Sequence, residues 1–235
     1  MCFMSGKSTQ IIGFPLIKFQ SEDRIKSLQQ GKIYMNTLAY YRKLEEKTGD
    51  VRVGDSFEGM FHVVEGKLVF PEEGEILELN NELIKTSYSD GFVFCLFGVK
   101  PSATNFEFTE EQVKEITGFG DTALLIVDVP EFEKRVVKAA KDAGFEIYKG
   151  FVRYYDETTD SGDMIISLLS GMQNVAYWKR KMYDYQQEYR FFAYSETIKK
   201  DHLELEIGDI SDISLMMKTS SMLKAKIVKQ EGRNR

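Results

Sequence analysis

The side chains most able to do chemistry crowd into one stretch, Tyr177-Trp178-Lys179-Arg180-Lys181-Met182-Tyr183-Asp184-Tyr185-Gln186-Gln187-Glu188-Tyr189-Arg190. It carries the single tryptophan of the chain, three consecutive cations and a closing Glu-x-Arg. No breaker interrupts residues 177–187, so the spacing predicts a helix with Trp178, Lys181 and Tyr185 on one face. Aromatic surface beside the charges of Lys179 and Lys181 suits a ligand with both a base and a phosphate, such as a nucleotide. The alternative is an amphipathic helix with solvated charges and rings packed on the core.

Glu188 and Arg190 open the next predicted strand, where residues two apart point to the same face. A carboxylate beside a guanidinium stays ionised, and could polarise a hydroxyl or stabilise a developing cation. It could equally form a structural ion pair. A second candidate is Asp55 with Glu58, in the turn-rich Gly54-Asp55-Ser56-Phe57-Glu58-Gly59. Carboxylates on such a loop could bind a metal, act as acid and base, or cap a turn. Other motifs are missing from the sequence. There is no Gly-rich phosphate loop, and two Cys and two His stand too far apart for zinc spacing. His62 and His202 fall in predicted strands and read as structural.

The elements that must position these residues follow from periodicity and punctuation. Residues 11–19 predict a first strand. A helix follows, with Ser21 as N-cap and Gly31 just past its end. Lys32 to Asn36 predicts a strand, and Leu38 to about Thr48 a second helix. Phe61 to Val64 and Lys67 to Phe70 read as a hairpin joined at Glu65-Gly66, before an irregular stretch over 71–90. Gly91 to Val99 predicts a fully buried central strand, with Cys95 as a small buried hydrophobe. Thr109 and Gln112 form a capping-box pattern. Ala123 to Val129 predicts a strand, then a helix opens at Pro130 with Phe132, Val136 and Ala140 as its apolar stripe. Further strands are expected over 145–154, 189–194, 202–207 and 213–217. An acidic loop spans 156–163, and the basic tail 224–235 reads as a short helix.

Strands and helices mix without regular alternation, which predicts an α+β fold with a mixed or antiparallel split sheet and flanking helices. Only four Pro occur and no linker-like segment interrupts the chain, so residues 11–235 read as a single domain behind a flexible arm at 1–10. Seventeen Phe and twelve Tyr predict a core dominated by rings. Two cysteines give no disulfide framework, as expected in a reducing compartment. The start lacks a leader pattern, and no apolar run nears the ~20 residues that span a bilayer. The expectation is a cytoplasmic protein with no membrane partner. A net charge of −6 argues against an extensive duplex-DNA surface.

Lys18-Phe19, a helix and then Gly31-Lys32-Ile33-Tyr34-Met35-Asn36 together resemble the opening of the DUF2971 family of bacterial and phage proteins. In that family an Asn-Asp-Pro-Phe-Glu motif follows the second strand, and Gly54 to Gly59 looks like its counterpart. Its later Lys-rich segment ending in Glu-x-Glu-x-Arg is matched by Lys179 to Arg190, with Gln186 at the first Glu and Glu188-Tyr189-Arg190 kept. The resemblance covers roughly residues 16–60 and 177–217.

The strand–helix–strand opening and the late Glu-bearing strand are also similar in outline to ADP-ribosyltransferases of the DarT and diphtheria-toxin kind. Those enzymes hold NAD in a split-sheet cleft and use a late-strand Glu to stabilise an oxocarbenium-like transition state. The similarity implies NAD as cofactor, no metal, and Glu188 as catalytic carboxylate. It places Tyr34, Tyr40 or Tyr41 on nicotinamide and Arg42 or Arg190 on pyrophosphate. Lys18 stands where those enzymes carry a first-strand His or Arg. Three readings result. One is a nucleotide-binding, ADP-ribosyltransferase-like protein of a phage–host conflict or toxin setting. Another is a non-catalytic phage or mobile-element protein that binds and inhibits, or is sensed by, a host defence protein. The third is a metal-dependent nuclease using Asp55, Glu58 and Glu188. A Glu188–Arg190 pair facing a cleft favours the enzyme; burial of both in a packed interior favours the binder.

Overall fold

The computed structural model describes residues 10–49, 52, 54–62, 65–70, 72–80, 83–84, 91–101, 105–156, 163–164, 166–167 and 170–227. It shows an α+β fold whose largest sheet is mostly antiparallel, with flanking helices. The elements run β1 (Leu16–Gln20), α1 (Glu22–Gln29), β2 (Lys32–Thr37), α2 (Leu38–Thr48), β3 (Phe61–His62), β4 (Glu65–Phe70), β5 (Glu75–Asn80), β6 (Leu83–Ile84) and β7 (Phe92–Gly98). They continue with β8 (Phe106–Glu107), α3 (Glu110–Thr117), β9 (Thr122–Ile126), α4 (Val129–Asp142), β10 (Glu146–Phe151) and β11 (Arg153–Tyr155). The remainder is a 3-10 helix at Met172–Tyr177, β12 (Trp178–Arg180), a 3-10 helix at Lys181–Gln186, β13 (Glu188–Tyr194), β14 (His202–Glu206), β15 (Ser214–Lys218), one helical turn at Thr219–Met222, and β16 (Lys226–Ile227).

The fold has two compact units assembled from separated segments. The first takes the chain up to Lys32, Leu96–Ala139, and everything from Glu206 onward. Here β1 pairs antiparallel with the second half of β7 and with β9, and β9 pairs with β15. The period-2 pattern puts Ile17, Phe19, Phe97 and Ala123 on one face, where they pack with Phe108 and Ile116. The capping box of α3 is formed: Gln112 N–H donates to Thr109 Oγ1 at 3.2 Å and Thr109 N–H to Gln112 Oε1 at 3.0 Å. The stripe of α4 is wholly buried at Phe132, Val136 and Ala140.

Gly31 ends α1 with φ 94°, and Gly208 lies against it with φ 77°. A β-carbon on Gly31 would sit 2.2 Å from the Gly208 carbonyl oxygen, whereas one on Gly208 would meet nothing within 4 Å. Ile207 N–H donates to Gly31 O at 2.8 Å and Ile210 N–H to Gln29 O at 2.8 Å, tying the two segments together.

The second unit takes Ile33–Cys95 and Ala140–Leu205. Its strands are β10, β13 and the first half of β7, with β2 beside β7 and β14 beside β2. The pairing of β10 with β13 sets Gly150 opposite Arg190 and Tyr148 opposite Phe192. β11 and β12 form a short parallel pair.

Several expectations are corrected. Residues 177–187 are not one helix: Trp178–Arg180 pairs with Arg153–Tyr155, between two 3-10 helices. Trp178 and Lys179 are both buried, and their burial with the pairing to β11 outweighs the local helical preference. The hairpin over 61–70 is also different. β4 turns at 72–74, where Gly74 takes φ 69°, and pairs with β5, while β3 pairs with β6. Cys95 is half-buried, the one position of β7 that is not fully buried. In the basic tail, Lys226–Ile227 is a strand on β8. Residues 1–9, 157–162 and 228–235 lie outside the described residues, with most of the expected arm, acidic loop and tail. Among the described residues no helix is long and apolar enough to cross a membrane.

The contrast between the two facing glycines is testable by urea unfolding. Gly208→Ala should cost about 1–2 kcal/mol, the left-handed penalty alone. Gly31→Ala adds a backbone collision and should cost more than about 3 kcal/mol. Equal costs would contradict the close approach.

Candidate functional site

The site is built in the second unit from a loop, a short strand and the start of a long one. Gly54 is required where the loop meets α2, because a β-carbon there would lie 2.5 Å from the Glu45 backbone nitrogen. Glu45 Oε2 accepts from Ser56 N–H, and Asp55 Oδ1 accepts from Phe57 N–H at 3.0 Å. Arg42 on α2 donates from Nη1 to the Glu58 carbonyl at 2.6 Å. Asp55 and Glu58 are thereby turned into the interior, 1% and 3% exposed.

β12 supplies Lys179 and Arg180, and β13 supplies Glu188 and Arg190. Gln187, just before β13, adopts the left-handed conformation at φ 40°, the single non-glycine residue to do so among those described. The turn lets the chain leave the 3-10 helix and enter the strand with Glu188 facing inward. Glu188 and Arg190 share a face, as two-residue spacing requires.

These residues form one connected ionic group. Arg190 Nε donates to Glu188 Oε2 at 2.6 Å, and its Nη1 donates to Glu58 Oε1 at 2.5 Å and to the Ala176 carbonyl at 2.6 Å. Lys179 Nζ donates to Glu188 Oε1 at 2.8 Å and to Gln186 Oε1 at 2.7 Å, with Glu58 Oε2 at 3.6 Å. Arg180 holds Asp55 Oδ1 from Nε at 3.1 Å and from Nη2 at 2.9 Å, and reaches the Tyr183 hydroxyl at 3.0 Å. The Tyr183 ring lies 4.5 Å from Lys179 Nζ. Glu188 N–H donates to the Tyr154 hydroxyl at 2.8 Å.

The charges settle accordingly. Burial pushes Glu188 up, but Arg190 and Lys179 outweigh it and hold the carboxyl well below its usual range. Burial opposes the charge of Lys179, yet Glu188 and Glu58 hold its ammonium above the ordinary lysine value. Asp55 goes the other way: burial and the neighbouring Glu58 push it up to about 6, against the pull of Lys179 and Arg180.

This arrangement constrains the chemistry. Both oxygens of Glu188 are taken by cations, and so are both oxygens of Glu58. A carboxylate that stabilises an oxocarbenium needs an edge facing substrate, and this one faces Lys179 and Arg190. A metal shared by Asp55, Glu58 and Glu188 would need those carboxylates to converge on one ion, but they converge on side-chain cations. Among the described residues no group of His, Cys, Asp and Glu is arranged to hold a metal.

Of the sequence candidates, Glu188, Arg190, Asp55, Glu58 and Lys179 come together, with Arg42 on the loop backbone. The others do not join this group. Tyr34 is exposed and stacks on His202 at 4.8 Å. Tyr40 is exposed, edge-on to Tyr41. Trp178 is buried, with its indole N–H donating to Ser167 Oγ at 3.1 Å. Lys181 is on the surface. Tyr41 belongs to a separate group with Cys95, Tyr148, Tyr177 and Tyr194, all half-buried against Leu38, Val93, Ala176 and Phe192. Sequence reasoning missed this group, and also Gln186 and Tyr154 as hydrogen-bonding partners. The 148/150 and 190/192/194 alternation was the available signal. Compared with known proteins, the chain matches no family model, no curated protein and no solved structure.

Two outcomes follow. Glu188→Gln leaves two buried cations short of charge, and should lower unfolding stability by about 3–5 kcal/mol, whereas Lys181→Ala should change it by less than about 0.5. For Asp55, the folded carboxyl binds its proton up to about pH 6 and the unfolded one only to 3.8. Folding therefore takes up a proton between those values, and stability falls as pH rises through that window. Asp55→Asn should flatten that segment of the stability–pH curve relative to the parent, measured by urea midpoints from pH 3.5 to 7 (about 0.5-unit steps). An unchanged slope would show that Asp55 is ionised throughout.

Proposed function

We propose that the protein works by binding, as a non-catalytic phage or mobile-element protein that engages a host defence protein, with the buried ionic group as its internal frame. The observation that carries this reading is the state of Glu188. Its carboxylate is buried, held ionised and bonded to a cation at each oxygen, so its charge is already engaged within the protein. A catalytic carboxylate gains its effect from an interaction made only in the transition state, and a charge already neutralised by two cations in the resting state has less to offer there. The resemblance at residues 16–60 and 177–217 supports the phage setting. The net charge of −6 favours a partner with a basic contact surface.

The ADP-ribosyltransferase-like reading makes the opposite demand on the same residue. Purified parent protein and Glu188→Gln are to be incubated with NAD while nicotinamide release and melting temperature are recorded. The expected result is no release above buffer for either, with a lower melting temperature for the variant. Release by the parent, abolished in the variant at an unchanged melting temperature, would replace the binding reading with the enzymatic one. Affinity capture from host cells, before and after phage infection, should return one stoichiometric protein partner that 0.5 M salt (roughly a 4 Å Debye length) displaces.

A further inference from the structure

Asp55 and Glu58 reach the ionic group from a loop, whereas Glu45 comes from α2, Lys179 and Arg180 from β12, and Glu188 and Arg190 from β13. A glycine stands at each end of that loop. Gly54 rests on the Glu45 backbone, and Gly59, at φ 64°, rests on the Leu38 side chain. The backbone can therefore turn at both ends with no side chain of its own in the way. Between these two points the segment is fastened by polar contacts.

We infer that residues 54–59 act as a proton-linked clasp, closed over the ionic group with one proton bound and opening locally as that proton leaves. Three observations carry the inference. First, one guanidinium serves two carboxylates: Arg180 Nη2 lies 2.9 Å from Asp55 Oδ1 and 3.4 Å from Glu45 Oε2. Second, the same two carboxylates hold consecutive amides of the loop, Ser56 N–H on Glu45 Oε2 and Phe57 N–H on Asp55 Oδ1. Third, closure gathers like charges in a buried place. The groups around Asp55 are Glu58 on its own loop, Glu45 and Arg42 on α2, Lys179 and Arg180 on β12, Tyr183 on the following 3-10 helix, and Glu188 and Arg190 on β13. Carboxylates crowded together out of water favour a proton on one of them. Burial and Glu58 put that proton on Asp55, which is pushed up to about 6 against the pull of Lys179 and Arg180. With the loop open, the carboxyl returns to the 3.8 of a solvated aspartate. Closing takes up a proton between those values, so opening becomes easier as pH rises through that window and levels off above it.

The clasp stands apart from the binding reading, since neither NAD turnover nor partner capture reports on it. The experiment follows amide hydrogen exchange of the full chain by NMR from about pH 4 to 7, with rates corrected for intrinsic exchange so that they give the open population. Amides of Ser56 and Phe57 report the loop, and those of Phe191 and Ala193 in β13, both fully buried, report wider unfolding. At pH 7 the loop amides should exchange at least about tenfold faster than the β13 pair. The open population of the loop should rise about fiftyfold from pH 4 to 7. Asp55→Asn should remove that rise. Glu45→Gln keeps an acceptor for Ser56 N–H but removes the competing charge on Arg180, and should shrink the rise, which keeps the test decisive should Asp55→Asn fold poorly. Three results would each overturn the inference. One is an open population in the parent that is flat or falls with pH. Another is exchange of the loop amides only in step with the β13 pair. A third is a parent-like rise in both variants.

Discussion

A guanidinium cannot lie at 1% exposure unless anions and carbonyls meet its edges, and the second unit is organised around meeting those of Arg190. One partner, Glu188, comes from two residues earlier on the same strand. Another, Glu58, arrives from a loop more than a hundred residues away in sequence, and the third is the Ala176 carbonyl at 2.6 Å. Each partner fixes a different segment: the strand register, the loop after α2, and the 3-10 helix before β12. Moving any of them would leave a buried charge uncompensated. The geometry is therefore determined by electrostatics as much as by packing.

The rest of the group follows from charge balance. Glu58 and Glu188 each have a second oxygen to satisfy, and Lys179 stands beside both, at 3.6 and 2.8 Å. Its burial in turn forces residues 178–180 into an extended path, since a helix would carry the ammonium away from these oxygens. Asp55 is matched by Arg180, so three carboxylates face three cations, and Glu45 adds a fourth carboxylate at 3.4 Å from Arg180. The neighbouring Glu58 accompanies burial in raising Asp55 to about 6.

Much of this was legible residue by residue where the cause is local. The Thr109/Gln112 capping box, the glycine after α1 and the four-residue stripe of α4 are set by hydrogen bonds or packing within a turn or two. The shared face of Glu188 and Arg190 follows from strand geometry alone. The run 177–187 was misread because nothing local marks Lys179 as buried. Its partners are a glutamate nine residues later and a loop over a hundred residues earlier, and only their joint burial overrides helical preference. The hairpin over 61–70 was misassigned because two turn signals, Glu65-Gly66 and Gly74, compete within one short stretch. The tyrosine group escaped notice because its members come from four elements, with no spacing that joins them.

Replacing a buried ionic group by well-packed apolar residues is often neutral or stabilising, so stability alone does not account for seven buried or half-buried charges. What the ions supply and apolar side chains would not is directional placement. Arg190 hydrogen-bonds the carbonyl of Ala176, and the next residue is Tyr177, whose ring lies over Gly150. Glu58 is held by Arg42 of α2 through its carbonyl, and α2 carries Tyr41 into the same aromatic group. Glu188 starts the strand that delivers Tyr194. Three of the four tyrosines packed on this cluster are thus one step along the chain or one element away from an ionic anchor. The charged residues that look catalytic in the sequence hold in register the elements that carry these rings.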